Sequence, residues 1–256
     1  MSDSDQNAPG AHPLSGKVVL VTGGSRGIGA GMARRFAGAG CRVAIAYRRG
    51  GGAAETVLGE IAALGAQGMA VAGDISKPDD THAMVARVVE RFGHIDVLVN
   101  CAGLAEYRPF EATDAAFFHA TFDTNVLGTI AMIQAALPYL TAPGGRIINF
   151  SSAIATRPIP TSSIYAASKA AVAGLSHALA KEFGPRGITV NAISPGVIET
   201  EMTTAILAER GAGIAAMTPL GRIGQVDDIA GIALFLASPD AGWLTGRTML
   251  ADGGLS

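Results

Sequence analysis

The chain has 256 residues, 49% of them hydrophobic and 16% charged, so a sizeable core is readily built and wholesale disorder is excluded. A formal net charge of −2 provides no basic excess, which argues against nucleic acid and anionic membrane surfaces as partners. Glycine is in excess, at 34 residues, without the triplet period of collagen, so the surplus serves turns and close backbone contacts.

Residues 1–13 read as a disordered tail, polar and punctuated by Pro9, Gly10 and Pro13, with neither the basic nor the apolar segment of a secretory signal. No apolar run reaches the ~18–20 residues of a membrane span. Cys41 and Cys101 in such a chain suit a reducing, cytoplasmic setting with unpaired thiols.

From residue 17 onward, short β-branched runs alternate with longer Ala/Leu-rich stretches. Strands are predicted at 17–22, 42–47, 69–72, 95–100, 146–150, 189–193 and 248–251. Helices are predicted near 27–39, 53–64, 79–92, 112–140, 163–184 and 226–237. The strands are near-continuously apolar, which suits strands covered on both faces. The alternation predicts an α/β fold: one doubly wound, Rossmann-type domain over 14–256, its seven-stranded parallel sheet covered by helices on both faces. Ligands of such sheets bind beyond the carboxyl ends of the strands, so chemistry is sought just after each one.

After the first strand comes Thr22–Gly29, T-G-G-S-R-G-I-G, opening a helix. Gly23, Gly27 and Gly29, with Ser25, Arg26 and Ile28 between them, permit a tight turn at a helix N-terminus whose free N–H groups suit a pyrophosphate. The spacing differs from the commoner GxGxxG fingerprint, and a plain glycine-rich turn would read the same way. NAD enzymes carry an acid at the end of the second strand, to bind the ribose 2′-hydroxyl. Here that strand ends in Tyr47, Arg48 and Arg49. With Arg26 these guanidinium groups suit a 2′-phosphate, so NADP(H) is the expected cofactor, although Arg48 and Arg49 at a loop start would also serve simple solvation.

Tyr165 and Lys169 stand four residues apart on one face of a predicted helix. A neighbouring ammonium favours phenolate, drawing the tyrosine down from ~10. The pair is expected beside the apolar stripe of Ile164, Ala171, Leu175, Leu179 and Phe183. Ser152, two residues past the fifth strand, is placed to hydrogen-bond a substrate carbonyl, and on its own reads equally as a loop cap. The five histidines show no ligand spacing, so no catalytic metal is expected.

Taken in order, these motifs resemble the short-chain dehydrogenases/reductases over about residues 15–254. Thr22–Gly29 matches the family's T-G-x-x-x-G-x-G loop. Asp74, followed by Ile75, matches the acid that contacts adenine. Asn100, Cys101, Ala102 and Gly103 match the N-N/A-A-G turn, with Cys101 a departure. Asn125, Ser152, Tyr165 and Lys169 match the catalytic tetrad. Ser194 to Thr200, with Pro195, Gly196 and Ile198, is similar to the segment that holds the nicotinamide carboxamide. The resemblance implies that Tyr165 is the general acid or base. Lys169 would bind the nicotinamide ribose and lower the tyrosine pKa, Ser152 would orient the carbonyl, and Asn125 would hold a water that links Lys169 to solvent.

Residues 195–225 would form a lid, and Val197, Met202, Ile206, Leu207, Met217 and Leu220 within it suggest an apolar-to-mixed small-molecule carbonyl or alcohol substrate. Leu104, Tyr107, Ile154 and Ile159 would line the opposite wall. The leading reading is an NADPH-dependent carbonyl reductase or secondary-alcohol dehydrogenase. A 3-oxoacyl-[acyl-carrier-protein] reductase is the alternative, weakened because residues 137–145 carry no Lys or Arg for an acidic carrier, but kept open by Arg108 and Arg157, which would serve if the fold brings them to the entrance. A non-catalytic NADP-binding sensor or scaffold is the third, and the full tetrad argues against it. The resemblance also implies a homotetramer, packed through 112–140, 163–184 and the ending from Trp243 to Gly254.

Overall fold

The computed structural model describes residues 12–256, so residues 1–11 of the expected tail lie outside the described residues. His12 already belongs to a turn, its carbonyl accepting the Ser15 N–H at 2.8 Å. Seven strands follow: β1 (Val18–Thr22), β2 (Arg42–Tyr47), β3 (Gly68–Ala72), β4 (Val97–Asn100), β5 (Arg146–Phe150), β6 (Thr189–Pro195) and β7 (Thr248–Ala251). All pair in parallel, in the order β3-β2-β1-β4-β5-β6-β7. The order reverses between β1 and β4, which opens a crevice at their carboxyl ends.

The apolar strands are buried because helices cover both faces. On one face Val19, Val21, Val43 and Ile45 meet Met32 and Phe36 of α1 (Gly27–Gly38) and Ile229 of α8 (Val226–Ala237). On the other, Leu20, Leu98 and Ile147 meet Met84 and Val88 of α3 (Pro78–Phe92) and Met132 of α5 (Gly128–Ala136). Helix α3 shows how local sequence sets such elements. Pro78 opens it, Asp79 and Asp80 face its positive end, and Gly93 at φ 87° ends it. Helix α2 (Gly51–Ala63) closes the β2–β3 crossover.

Three elements differ from the sequence expectation. The helix predicted over 112–140 is broken into α4 (Ala115–Phe122), a π-helical turn at Asp123–Leu127, and α5, flanked by 3-10 turns at Phe110–Ala112 and Leu137–Tyr139. The wide turn carries Asn125 into the interior, where its side chain bonds backbone from another segment. Helix α7 (Thr204–Met217), inside the expected lid, was not predicted because it buries no residue and so carries no periodic stripe. Helix α6 (Ser163–Phe183) turns a different face inward: Lys169, Val172, Ser176, Ala180 and Phe183 are buried, whereas Ile164, Ala171, Leu175 and Leu179 are half-buried. Lys169 therefore lies within the buried stripe rather than beside it. The small Ser and Ala side chains let the helix approach the sheet closely.

Candidate active site

The glycine turn after β1 is built by backbone needs that only glycine meets. Gly23 and Gly27 have φ of 67° and 52°. A Cβ on Gly23 would stand 2.9 Å from the Ala102 Cα, and one on Gly29 would collide with the Gly23 carbonyl. Thr22 locks this turn to the neighbouring one, since its Oγ1 accepts the Ala102 N–H at 3.0 Å. Helix α1 begins directly behind, with no side chain capping its N-terminus and no acid in its first turn. Its first N–H groups thus face the crevice without an intrahelical partner, as an anion site requires. Ser25 is buried, Ile28 packs against the core, and the Thr200 methyl lies 3.6 Å from a Cβ position on Gly27.

The adenosine end is assembled from β2 and the loop after β3. Arg48 and Arg49 are exposed there. The Gly73 N–H donates to the Tyr47 carbonyl at 2.9 Å, which ties the two strand ends together. Arg48 Nη1 reaches Asp74 Oδ2 at 3.3 Å, while Asp74 Oδ1 accepts the Ser76 N–H and hydroxyl at 3.0 and 2.8 Å. Burial alone would raise the Asp74 carboxyl, but these hydrogen bonds and the guanidinium hold it below the usual carboxylate range. Ile75 is buried against Gly128 at the start of α5. Arg26 stands apart from this group, 3.9 Å from Glu201 across the crevice, with both side chains exposed.

The polar cluster after β4 and β5 is held by α6. Lys169 Nζ donates to the Phe150 carbonyl at 2.8 Å and lies 5.9 Å from the Tyr165 ring centroid. Burial lowers Lys169 from 10.5 to about 8. Burial also pushes the Tyr165 phenol up to about 12, against an opposing hydrogen-bond influence from Ser152. The expected lowering of Tyr165 by Lys169 is therefore not found in this structure: desolvation dominates, and the ammonium is turned to the Phe150 carbonyl. The buried Ser152 accepts the Ile154 N–H at 3.4 Å, so it also caps a short turn.

Asn125 is fully engaged. Its Oδ1 accepts the Leu104 N–H at 2.7 Å, and its Nδ2 donates to the Leu104 carbonyl at 2.9 Å and to Ser168 Oγ at 3.0 Å. A Cβ on Gly103 would stand 3.2 Å from Asn125 Oδ1 and 3.3 Å from Lys169 Nζ. Sequence reasoning missed the buried groups that hold this arrangement. Ser168 Oγ donates to the Tyr165 carbonyl at 2.7 Å, Ser151 Oγ donates to the Lys169 carbonyl at 2.9 Å, and Asn149 joins Asn100 to Ser176 at 2.9 Å on each side. Their only signal was small polar residues on strands and on the inward face of α6.

Beyond β6, Gly196 is pressed against Asp252, where a Cβ would stand 2.7 Å from the Asp252 Cβ. The Ile198 side chain is buried in the core, and its carbonyl accepts the Thr203 hydroxyl at 2.6 Å. Pro195 closes β6. At the mouth, the Tyr107 ring meets the Tyr165 ring edge-on, with centroids 5.8 Å apart. Among the described residues no cluster of His, Cys, Asp or Glu is arranged to hold a metal ion, and no helix is long and apolar enough to cross a membrane.

The fold and this cluster together define an oxidoreductase on a Rossmann scaffold. The family described as enoyl-(acyl carrier protein) reductase matches residues 23–256. An uncharacterized oxidoreductase of Methylorubrum extorquens is 44% identical over 245 residues, covering 94% of this chain and 98% of its own. The 3-oxoacyl-[acyl-carrier-protein] reductase FabG of Staphylococcus aureus is 40% identical over 240 residues, covering 93% and 98%. Among solved structures, a short chain dehydrogenase from Burkholderia cenocepacia in complex with NADP superposes with a TM-score of 0.90 at 39% identity, over 95% of this chain and 99% of that one. The chain belongs to the short-chain dehydrogenase/reductase family.

Proposed function

We propose that the protein is an NADPH-dependent carbonyl reductase, running in reverse as a secondary-alcohol dehydrogenase, with Tyr165 as the proton donor. The observation that carries this reading is the convergence of Ser152, Tyr165 and Lys169 beside Gly103, at the carboxyl edge of the sheet. The glycine turn and the uncapped start of α1 fit a pyrophosphate, and Arg48 and Arg49, with Arg26, fit a 2′-phosphate. NADPH, when bound, supplies the hydride.

The chain's own residues supply the proton and the geometry. Tyr165 is held neutral by burial, the form that can donate to the oxygen of a carbonyl. Ser152 donates a second hydrogen bond to that oxygen and steadies its developing charge. Lys169, lowered by burial to about 8, can take and return a proton close to neutral pH, and it would bind the nicotinamide ribose when the cofactor is present. Asn125 acts by position: its amide hydrogens are both used on Leu104 and Ser168, so it fixes the loop beside Gly103 and the start of the Tyr165–Lys169 turn. When the cofactor is bound, Asp74 would meet its adenine, and Pro195, Gly196, Ile198 and Thr200 would hold its carboxamide.

Residues 195–225 act as the lid, clipped at their far end by Arg222, whose Nη1 and Nη2 reach the Asp228 carboxylate at 2.6 and 2.8 Å. Exposed Met202, Met217 and Leu220 give the substrate an apolar-to-mixed face. Trp243, 98% exposed, and the exposed Phe118, Leu127 and Leu250 support burial against further copies in a homotetramer. Two free cysteines support a reducing cytoplasm. The identity to FabG favours one second reading, 3-oxoacyl-[acyl-carrier-protein] reduction. Against it, Arg108 is spent on Asp114 at 3.7 Å and on the Phe117 ring at 4.2 Å.

The test is a panel of free ketones, acyl thioesters and acyl-carrier substrates, followed by NADPH absorbance. Free ketones should turn over at least as efficiently as carrier-bound acyl groups. Tyr165→Phe should lower kcat by roughly 10²–10⁴-fold with NADPH affinity kept. Unchanged turnover in that variant would remove Tyr165 as the donor.

A further inference from the structure

Tyr107 sits four residues beyond Gly103, in the loop between β4 and the turn at Phe110–Ala112. Its ring meets Tyr165 at 5.8 Å and 60°, inside the range in which aromatic rings attract one another edge-to-face. Yet 49% of the residue stays exposed, at the mouth of the site.

The ring is held by both ends of its loop. On one side the Asn125 amide grips the N–H and the carbonyl of Leu104. On the other, the Arg108 N–H donates to the Thr161 carbonyl at 2.9 Å. Thr161 is the only non-glycine residue at positive φ among the described residues, at 69°, and it lies four residues before Tyr165. Ser162 Oγ locks the same turn, accepting the Ile159 N–H at 3.1 Å and donating to the Ile159 carbonyl at 2.6 Å. The elements that place Tyr165 therefore also place Tyr107.

We infer that Tyr107 is a specificity-determining residue that sets its ring against the group carried by the substrate carbonyl, so that aryl ketones are favoured over alkyl ketones. This rests on the reading of Tyr165 as the proton donor. A carbonyl oxygen that takes the Tyr165 proton lies roughly 2.6–3.2 Å from the phenol oxygen. The group on its carbonyl carbon then extends into the space that the Tyr107 ring borders. The surroundings suit an uncharged ring. Arg108 is turned onto Phe117 and Asp114, and burial raises the Tyr107 phenol so that it stays neutral. Apolar burial is gained by alkyl and aryl groups alike. The ring-on-ring increment belongs to the aryl group alone and amounts to about two- to tenfold in affinity.

The experiment compares acetophenone with 2-octanone, which have equal carbon number, on wild type, Tyr107→Phe, Tyr107→Leu and Tyr107→Ala. Dissociation constants are measured by saturation-transfer NMR with NADP⁺ present, and kcat/KM with NADPH. The aryl-to-alkyl preference should fall at least twofold in the Leu and Ala variants and persist in Phe. A preference that moves less than twofold in both Leu and Ala overturns the proposal, and so does an equal loss on both ketones, which would make Tyr107 merely a support for Tyr165. Failure of wild type to bind either ketone also overturns it. The binding arm separates the two readings: an aryl preference in Kd that follows the Tyr107 ring supports its contact with the bound group, while lack of turnover of both bound ketones counts against Tyr165 as their proton donor.

Discussion

Replacing Lys169 by methionine should make the protein more stable at neutral pH, although Lys169 is central to the proposed chemistry. Its ammonium is buried, with the Phe150 carbonyl as its hydrogen-bond partner, and its pKa falls from 10.5 to about 8. That displacement corresponds to about 3 kcal/mol of destabilisation at about 1.4 kcal/mol per pH unit. Below pH 8 native and unfolded chains both carry the proton, and the full cost applies. Between 8 and 10.5 the unfolded chain binds more protons than the native one, so stability rises with pH. Above 10.5 both are neutral and the cost is gone. Methionine fills a similar volume without charge but leaves the Phe150 carbonyl unpaired, at about 1 kcal/mol. The variant should therefore be about 2 kcal/mol more stable at pH 7, about 4–8 °C in Tm for a domain of this size. By pH 10.5 the order should reverse by about 1 kcal/mol. Thermal or urea unfolding of both proteins across this range, without NADP(H), measures the difference while other titrating groups cancel. A difference that does not change with pH, or a less stable variant at pH 7, would refute the burial argument.

Two further outcomes follow from close contacts and from burial. Gly29→Ala should weaken NADPH binding at least tenfold in a fluorescence titration, because the added Cβ collides with the Gly23 carbonyl and opens the turn; wild-type affinity would contradict the cradle. Burial pushes both thiols up to about 12, Cys41 being fully buried and Cys101 half-buried, so the native protein should give no rapid thiol titre with dithiobis(nitrobenzoate) at pH 8 and two thiols in guanidinium; a fast native thiol that mutation assigns to Cys41 would contradict its burial.

Where local residues decide the outcome, the sequence is readable. Arg42–Tyr47, Arg146–Phe150 and Thr248–Ala251 are strands with the expected bounds, because short β-branched runs flanked by turns have no helical alternative. The break at Asp123–Leu127 was not readable, since its cause is a bond from Asn125 to Leu104, 21 residues away. The apolar sequence on either side continues a helix without interruption. Periodicity also chose the wrong face of α6, because it weights bulk, and here the bulky Leu175 and Leu179 are left half-buried while Ser168 and Ser176 go in. Site residues tied to a spacing, such as Gly23, Gly27, Gly29, Tyr165 and Lys169, were visible in advance. Ser151, Asn149 and Ser168 were not, because a small polar residue carries no signal until its partner in another segment is known.

That inward face of α6 links the fold to the chemistry. Small side chains bring the helix close to its neighbours, Ser176 against Asn149 of β5 and Ser168 against Asn125, and the same approach strips water from Lys169 and Tyr165. Desolvation acts on both groups but in opposite directions, since it disfavours the charged form of each. The phenol rises to about 12 and keeps its proton, while the ammonium falls to about 8 and holds its proton loosely. At neutral pH the proposed donor therefore carries its proton, and the ammonium beside it lies close to its own titration range. A larger residue at Ser168 or Ser176 would lift the helix, readmit water and move both values back towards their ordinary ones. The packing of α6 against the sheet thus sets the protonation of both groups of the proposed site.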